Sequence, residues 1–281
     1  MNKIIGLLKA WGAKDWIRPA IKQALEYCDE VIVAIGAYTP QLGEFEDDTY
    51  NICKEYRDIK LLKCEASKQY VCQAVADAHN NMLKNSELHG QGNWLWILDV
   101  DEFYPDSAYE EIKTIIESNK YDFIRVEEKF FFINMQHYLE ASHGRLIRVE
   151  DTKDFFVSVN DWSRKPKTPY LLPRRTGMFH YSMLADMRIH RVRWETEYPG
   201  TAQPHKVKWL DKIYPNYEFE KEDYWIEQNL KMFGIKSPWF NKGMTPNEDG
   251  KLFIYTGQHP KFIEEIGYPK VKDFRKFYDV K

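Results

Sequence analysis

Over its first 118 residues the chain alternates short apolar runs with longer segments of helical period, and this constrains the fold more than any other feature. Residues 3–8 read as a strand. Asp15, in N-cap position, then opens a segment in which Trp16, Ile17, Ala20, Ile21, Ala24 and Leu25 recur at helical spacing. Residues 30–35 (EVIVAI) are a β-branched run closed by Gly36, the pattern of a strand buried on both faces. A loop containing Pro40 and Gly43 leads to Asp47-Asp48-Thr49, a helix start ahead of residues 50–56. Residues 59–64 read as a third strand, 70–83 as a third helix, 93–98 (NWLWIL) as a fourth strand and 107–118 as another helix. This order predicts an α/β fold with a mainly parallel, Rossmann-like sheet and helices on both faces. Ligands of such sheets bind beyond the C-terminal ends of the strands. Lys9, Ala10 and Trp11, then Gly36, Ala37 and Tyr38, then Asp99, Val100 and Asp101 are thereby expected on one rim.

Residues 122–133 and 144–149 also read as strands, after which irregular sequence rich in Pro and aromatics dominates. The expectation is one domain, with an α/β core over residues 1–160 and an irregular extension over 161–281. Apolar residues make up 43% of the 281 and charged residues 30%, a globular composition. No apolar run approaches the roughly 18 residues needed to span a bilayer. The apolar stretch between Lys3 and Lys9 is too short for a signal-peptide core. Cys28, Cys53, Cys64 and Cys72 contain no C-x-x-C, which argues against a zinc site or disulfide scaffold and fits a reducing compartment. A cytoplasmic protein without a transmembrane segment, with or without peripheral contact at a membrane, is expected. The net charge of −3 gives no global reason to bind nucleic acid. Between Asp161 and Lys212, however, eleven Lys and Arg face five Asp and Glu. Such a stretch is either a solvated loop region or a contact for an anionic ligand.

The sharpest local feature is the apolar run that ends in Asp99-Val100-Asp101-Glu102-Phe103. In extended backbone, side chains at i and i+2 share one face of the strand and adjacent ones face opposite sides. Grouped carboxylates without Cys suit a hard cation such as Mg²⁺ or Mn²⁺, which could hold a diphosphate. The bland reading is an acidic loop after a strand. Gln73, Asp77 and Asn80 form a polar helix stripe opposite Val71, Val75, Ala78 and Met82. That stripe either touches a nucleotide or faces solvent.

These residues resemble the family-2-type glycosyltransferases with the A-type nucleotide-sugar fold. Asp15-Trp16 and the segment Cys28-Asp29-Glu30-Val31-Ile32-Val33 resemble the family's opening, and Asp47-Asp48-Thr49 the end of its Asp-rich loop. Gln73 and Asn80 look like its Gln…Asn helix, and Asp99-Val100-Asp101-Glu102-Phe103 like its metal and diphosphate motif. Phe179-His180-Tyr181-Ser182 resembles a His-Tyr-Ser motif, and Gly257-Gln258-His259-Pro260 a late Gly-x-His-Pro motif. The resemblance covers residues 1–105 well and is weaker to about residue 265. The sequence departs from the family at Gly36-Ala37-Tyr38, where an early Asp is usual, and lacks its Glu-Asp pair that marks the catalytic base.

The resemblance implies a metal-dependent hexosyltransferase that moves a sugar from a nucleoside-diphosphate sugar to a hydroxyl on a glycan, lipid or protein acceptor. It implies Mn²⁺ or Mg²⁺ on Asp99 and Asp101, with His180 as third ligand. Nucleotide-sugar contacts are expected from Lys9, Ala10, Trp11, Asp48, Gln73, Asn80, Asp99, Val100 and Asp101. Residues 1–160 would hold the donor and 161–281 the acceptor side. An inverting reaction needs a carboxylate base, for which Asp161 and Glu128 are the candidates. His190 and His205, among cations, look like phosphate contacts. Two other classes compete. One is a haloacid dehalogenase-like phosphatase, whose first Asp is a nucleophile but whose motif sits on the first strand. The other is a non-catalytic nucleotide-sugar-binding protein on the same fold.

Overall fold

Four apolar runs form the parallel half of one sheet: β1 (Ile4–Ala10), β2 (Glu30–Ile35), β3 (Lys60–Lys63) and β4 (Asn93–Asp99), in the order β3-β2-β1-β4. The computed structural model describes residues 2–37, 47–64, 71–90, 92–150, 156–158, 161–163, 165–196, 204–233 and 251–279. All seven residues of β1 are buried because the strand is covered on both faces. Ile4, Leu8 and Ala10 join one core with α1 (Ile17–Tyr27), α2 (Thr49–Lys54) and a later helix, whereas Ile5 and Leu7 join another with Ala76, Met82 and Leu83 of α3 (Val71–Lys84). That later helix is α4 (Asp106–Ser118), whose Ala108, Ile112, Ile115 and Ile116 are buried. Asp15 is not the N-cap of α1. Trp16 holds that position without a side-chain cap bond, and the Trp16 and Ile17 amides donate to Ala13 O instead.

Past β4 the sheet becomes mixed, with antiparallel pairs joining the parallel ones. After the two-residue β5 (Glu102–Phe103) come β6 (Phe123–Phe132) and the sixteen-residue β7 (Asn134–Val149). These last two form a hairpin through Ile133, which takes a positive φ of 61°, and β7 runs antiparallel to β4. A hairpin reverses the chain without a crossover helix, so the sequence signal for parallel pairing stops where it begins. β8 (Phe156–Ser158) and β9 (Asp161–Trp162) make a separate two-stranded ribbon.

The second half is more regular than expected. β10 (Pro169–Leu172) and β11 (Met178–Met183) both pair with β6 in parallel, and β11 also pairs antiparallel with β5. Helices α5 (Met187–Thr196), α6 (Pro204–Lys212) and α7 (Glu222–Phe233) follow. A third core then joins Trp209, Leu210 and Trp225 to Phe130, Phe132, Leu139 and Met183. β12 (Phe253–Ile254) adds to β7, and α8 (Lys261–Glu265) and α9 (Phe274–Asp279) close the described chain. Among the described residues no helix is long and apolar enough to cross a membrane.

Candidate active site

Lys9 at the end of β1 lies in register with Asp99 at the end of β4, so the two strand termini meet on the rim where ligands of such sheets bind. Val100 and Asp101 form a turn, and Glu102 begins β5. Three contacts pin this turn. Gln23 of α1, buried, donates from Nε2 to Glu102 O (3.0 Å) and accepts the Tyr104 amide at Oε1 (2.7 Å). The Tyr181 amide donates to Asp101 O (2.8 Å). The β5–β11 register sets His180 beside Glu102. The sequence motif thus becomes a fixed acidic turn with a histidine across from it.

His180 is the centre of the cluster. Its Nδ1 lies 3.2 Å from Glu128 Oε2, and its Nε2 faces Asp101 Oδ1 at 3.7 Å. The ring packs edge-on against Phe130, with centroids 4.8 Å apart. Glu128 is 0% exposed, and His143 Nδ1 approaches its Oε1 to 2.9 Å. Burial alone would discharge the imidazole. The Glu128 carboxylate, with Asp101 and Glu102 behind it, outweighs burial and raises His180 to about 10. The two histidines hold the Glu128 carboxyl well below the usual carboxylate range despite its burial.

Arg145 forms the other half. It reaches from β7, almost fully buried, to Asp99 Oδ2 (3.1 Å) and to Glu102 Oε1. Glu102 and Asp99 offset the burial of the guanidinium and keep it charged. Burial drives the Glu102 carboxyl well above the usual range in spite of Arg145. The second Glu102 oxygen, Oε2, is buried and makes no hydrogen bond. Glu102, Glu128 and His180 present ligand atoms within 4.8 Å of one another.

The other expected site residues fall into two sets. Lys9, Ala10 and Trp11 lie at the end of β1 beside Asp99, with Lys9 and Ala10 buried. Asp48 precedes α2, in a segment tied to the same end of β1 because Ala13 N donates to Thr49 Oγ1 (2.9 Å) and Lys14 N to Asp47 Oδ2 (3.1 Å). By contrast, the Asn80 carboxamide is engaged with the Phe156 backbone, donating to its carbonyl and accepting from its amide, both at 2.8 Å. Gln73 donates to Asp77 within α3 (3.2 Å). The backbone of Asp161 belongs to β9, and its side chain lies outside the described residues, as does that of His205. His190 is buried and its Nε2 lies 2.6 Å from Ser182 O.

Four arginines of the basic stretch meet acidic partners in the fold. Arg174 pairs with Glu140 and Glu127, Arg175 lies 3.9 Å from Glu111, Arg188 pairs with Asp186, and Arg191 with Asp211. Three of these acids come from outside the stretch, so a local count of charges overstated its excess. Glu102, His143 and Arg145 carry the cluster, although no role was assigned to them from sequence. The available signal was the spacing of His143 and Arg145 at i and i+2, which puts both on one face of an extended segment.

No protein-family model matches the chain, and no curated protein matches it. Solved structures do resemble it. TarS from S. aureus (residues 1–349, in complex with UDP) aligns at 12% identity over 82% of this chain and 80% of that one, with a TM-score of 0.42. Glucosyl-3-phosphoglycerate synthase from Mycobacterium tuberculosis, in complex with Mn²⁺, UDP and glucosyl-3-phosphoglycerate, aligns at 15% identity over 47% of this chain and 44% of that one, with a TM-score of 0.31. A 4-diphosphocytidyl-2C-methyl-D-erythritol synthase aligns at 12% identity over 75% of this chain and 85% of that one, with a TM-score of 0.33.

Proposed function

We propose that the chain is a metal-dependent glycosyltransferase that moves a hexosyl group from a nucleoside-diphosphate sugar to a hydroxyl acceptor. One observation carries the reading: at the end of β4, His180 turns Nε2 toward Asp101 while a buried carboxylate, Glu128, holds Nδ1. A carboxylate behind a histidine is the usual arrangement around a metal-ligating imidazole, because it fixes the tautomer and ring plane. The 3.7 Å between Nε2 and Asp101 Oδ1 is less than twice a ligand distance of about 2.1 Å, so both atoms can reach one ion. The unbonded Glu102 Oε2 fits a cation nearby as well. The donor set of carboxylates plus one imidazole suits Mn²⁺, with Mg²⁺ less favoured by the nitrogen.

In this reading Asp101 and His180 hold the ion, with Asp99 beside it on Arg145. The ion would offset charge on the departing nucleoside diphosphate. Arg145, held between Asp99 and Glu102, offsets negative charge at the turn before a ligand arrives. Lys9 adds positive charge at the rim, and Ala10, Trp11 and Asp48 line the donor side. Glu128, with no exposed surface, orients His180 and is shielded from an acceptor hydroxyl, which leaves Asp161 as the base candidate named from sequence.

A thermal-shift panel of nucleotide sugars with and without Mn²⁺ tests the proposal, since a ligand of the folded state raises its melting point. A rise that requires both Mn²⁺ and a nucleotide sugar is expected. If no nucleotide sugar shifts the protein, the proposal fails. Hydrolysis of a phosphate monoester instead would favour a phosphatase.

A further inference from the structure

Two motifs singled out in the sequence, Asp15-Trp16 and Gly257-Gln258-His259-Pro260, have no part in the chemistry above. Both converge on Tyr181. The Tyr181 hydroxyl lies 2.7 Å from His259 Nδ1, with the tyrosine fully buried and the histidine nearly so. Trp16 stacks on the Tyr181 ring with centroids 5.6 Å apart and planes 11° apart. Tyr268 packs edge-on against Trp16 and donates its hydroxyl to Asp15 O (2.9 Å).

The loop that carries His259 is itself fastened. Tyr255 N donates to Gln136 O (2.6 Å), and Tyr255 OH donates to Gln258 O (2.6 Å). A Cβ on Gly257 would lie 2.6 Å from that hydroxyl, so the tight path favours glycine. His259 N donates to Glu264 Oε1 (3.1 Å), and the ring also bonds to the Met135 backbone. In the tautomer that carries its proton on Nε2, His259 offers Nδ1 as the acceptor for Tyr181 OH.

A polar pair in this aromatic core is not needed for packing, because two apolar rings would fill the space at lower desolvation cost. What the pair adds is direction. The Tyr181 main-chain amide donates to Asp101 O, and Tyr181 follows His180 on β11. A tyrosine locked at its hydroxyl and stacked on its face fixes the backbone that holds both residues.

We propose that Tyr181 and His259 are positioning residues that hold Asp101 and His180 in cation-binding register, so that the segment around residues 255–268 is part of the site; this rests on the metal-dependent reading above. The test is Mn²⁺ affinity by calorimetry, at a temperature well below each melting point, together with amide hydrogen exchange at positions 180–182 in metal-free protein. Tyr181→Phe and His259→Leu should each weaken Mn²⁺ binding about tenfold, the low end for groups that support a metal ligand. The double variant should lose no more than either alone, because both remove one bond. His259→Asn, whose side-chain oxygen takes the place of Nδ1, should restore affinity to within about twofold of wild type. Variants with lowered melting points but unchanged Mn²⁺ affinity and exchange would overturn the proposal. If wild type binds no Mn²⁺, the metal-dependent reading falls on its own, and exchange still decides the brace: faster exchange in Tyr181→Phe supports it, and unchanged exchange refutes it.

Discussion

Glu128→Gln preserves the shape of the buried side chain and removes one charge, so it isolates what that charge does. In wild type the carboxylate has no exposed surface and lies 3.2 Å from His180 Nδ1 and 2.9 Å from His143 Nδ1. Removing one partner of a buried ion pair costs about 3–5 kcal/mol. The neutral amide can still accept from His180, so we take the low end, about 3 kcal/mol, or a melting-point fall on the order of 10 °C. The loss should depend on pH in a defined window. His180 has a folded-state value of about 10 against 6.5 for an ordinary imidazole, so its contribution is complete below about pH 6.5 and fades as pH rises through 10. Glu128 is shifted down from 4.5, so its contribution is present above that pH and is lost as pH falls further. The gap between wild type and variant should therefore be widest from about pH 4.5 to 6.5 and close by pH 10. Urea denaturation in EDTA at pH 6, 8 and 10 measures it. Mn²⁺ binding by calorimetry should weaken about tenfold or more in the variant. In wild type it should strengthen with rising pH, because His180 must release a proton to coordinate. A variant that matches wild type in both pH dependence and Mn²⁺ affinity would refute the role of Glu128.

Arg145→Met should destabilise by about 3–5 kcal/mol, and the double Arg145→Met/Glu102→Met should recover much of that in denaturant unfolding, since the buried Glu102 would no longer lack a counter-charge. Gly177→Ala would bring a Cβ to 2.0 Å from the Glu127 carbonyl oxygen, a backbone atom that cannot step aside. Its unfolding free energy in urea should fall by about 1–3 kcal/mol. Asn80→Ala removes both bonds to Phe156, and thermal unfolding should show a loss of about 1–3 kcal/mol.

β1, β2 and β4 were legible because they are buried on both faces and read as apolar runs. EVIVAI matches β2 to the residue, and the run from Asn93 falls one residue short of β4. β7 was read only over its last six residues. Its earlier part, Asn134 to His143, mixes polar and apolar side chains because one face is partly exposed, and period alone does not distinguish it from loop. β5 has two residues, too few for any pattern, yet it carries Glu102. The acidic turn was visible as a motif, and the resemblance supplied His180. Their counter-charges were not visible, because Glu128, His143 and Arg145 meet them only through the β6–β7 hairpin and β11, pairings distant in sequence.

In the proposed function the Asp101–His180 cluster supports ion-dependent cleavage of a nucleotide sugar. The most direct measurement is release of nucleoside diphosphate from a panel of UDP-, GDP- and ADP-sugars, in Mn²⁺ and in EDTA, for wild type and Asp101→Asn. The account predicts release from at least one donor in Mn²⁺, its loss in EDTA, and a fall of at least tenfold in Asp101→Asn with the melting point of the metal-free protein little changed. Release that is equal in EDTA, or undiminished in Asp101→Asn, would contradict it.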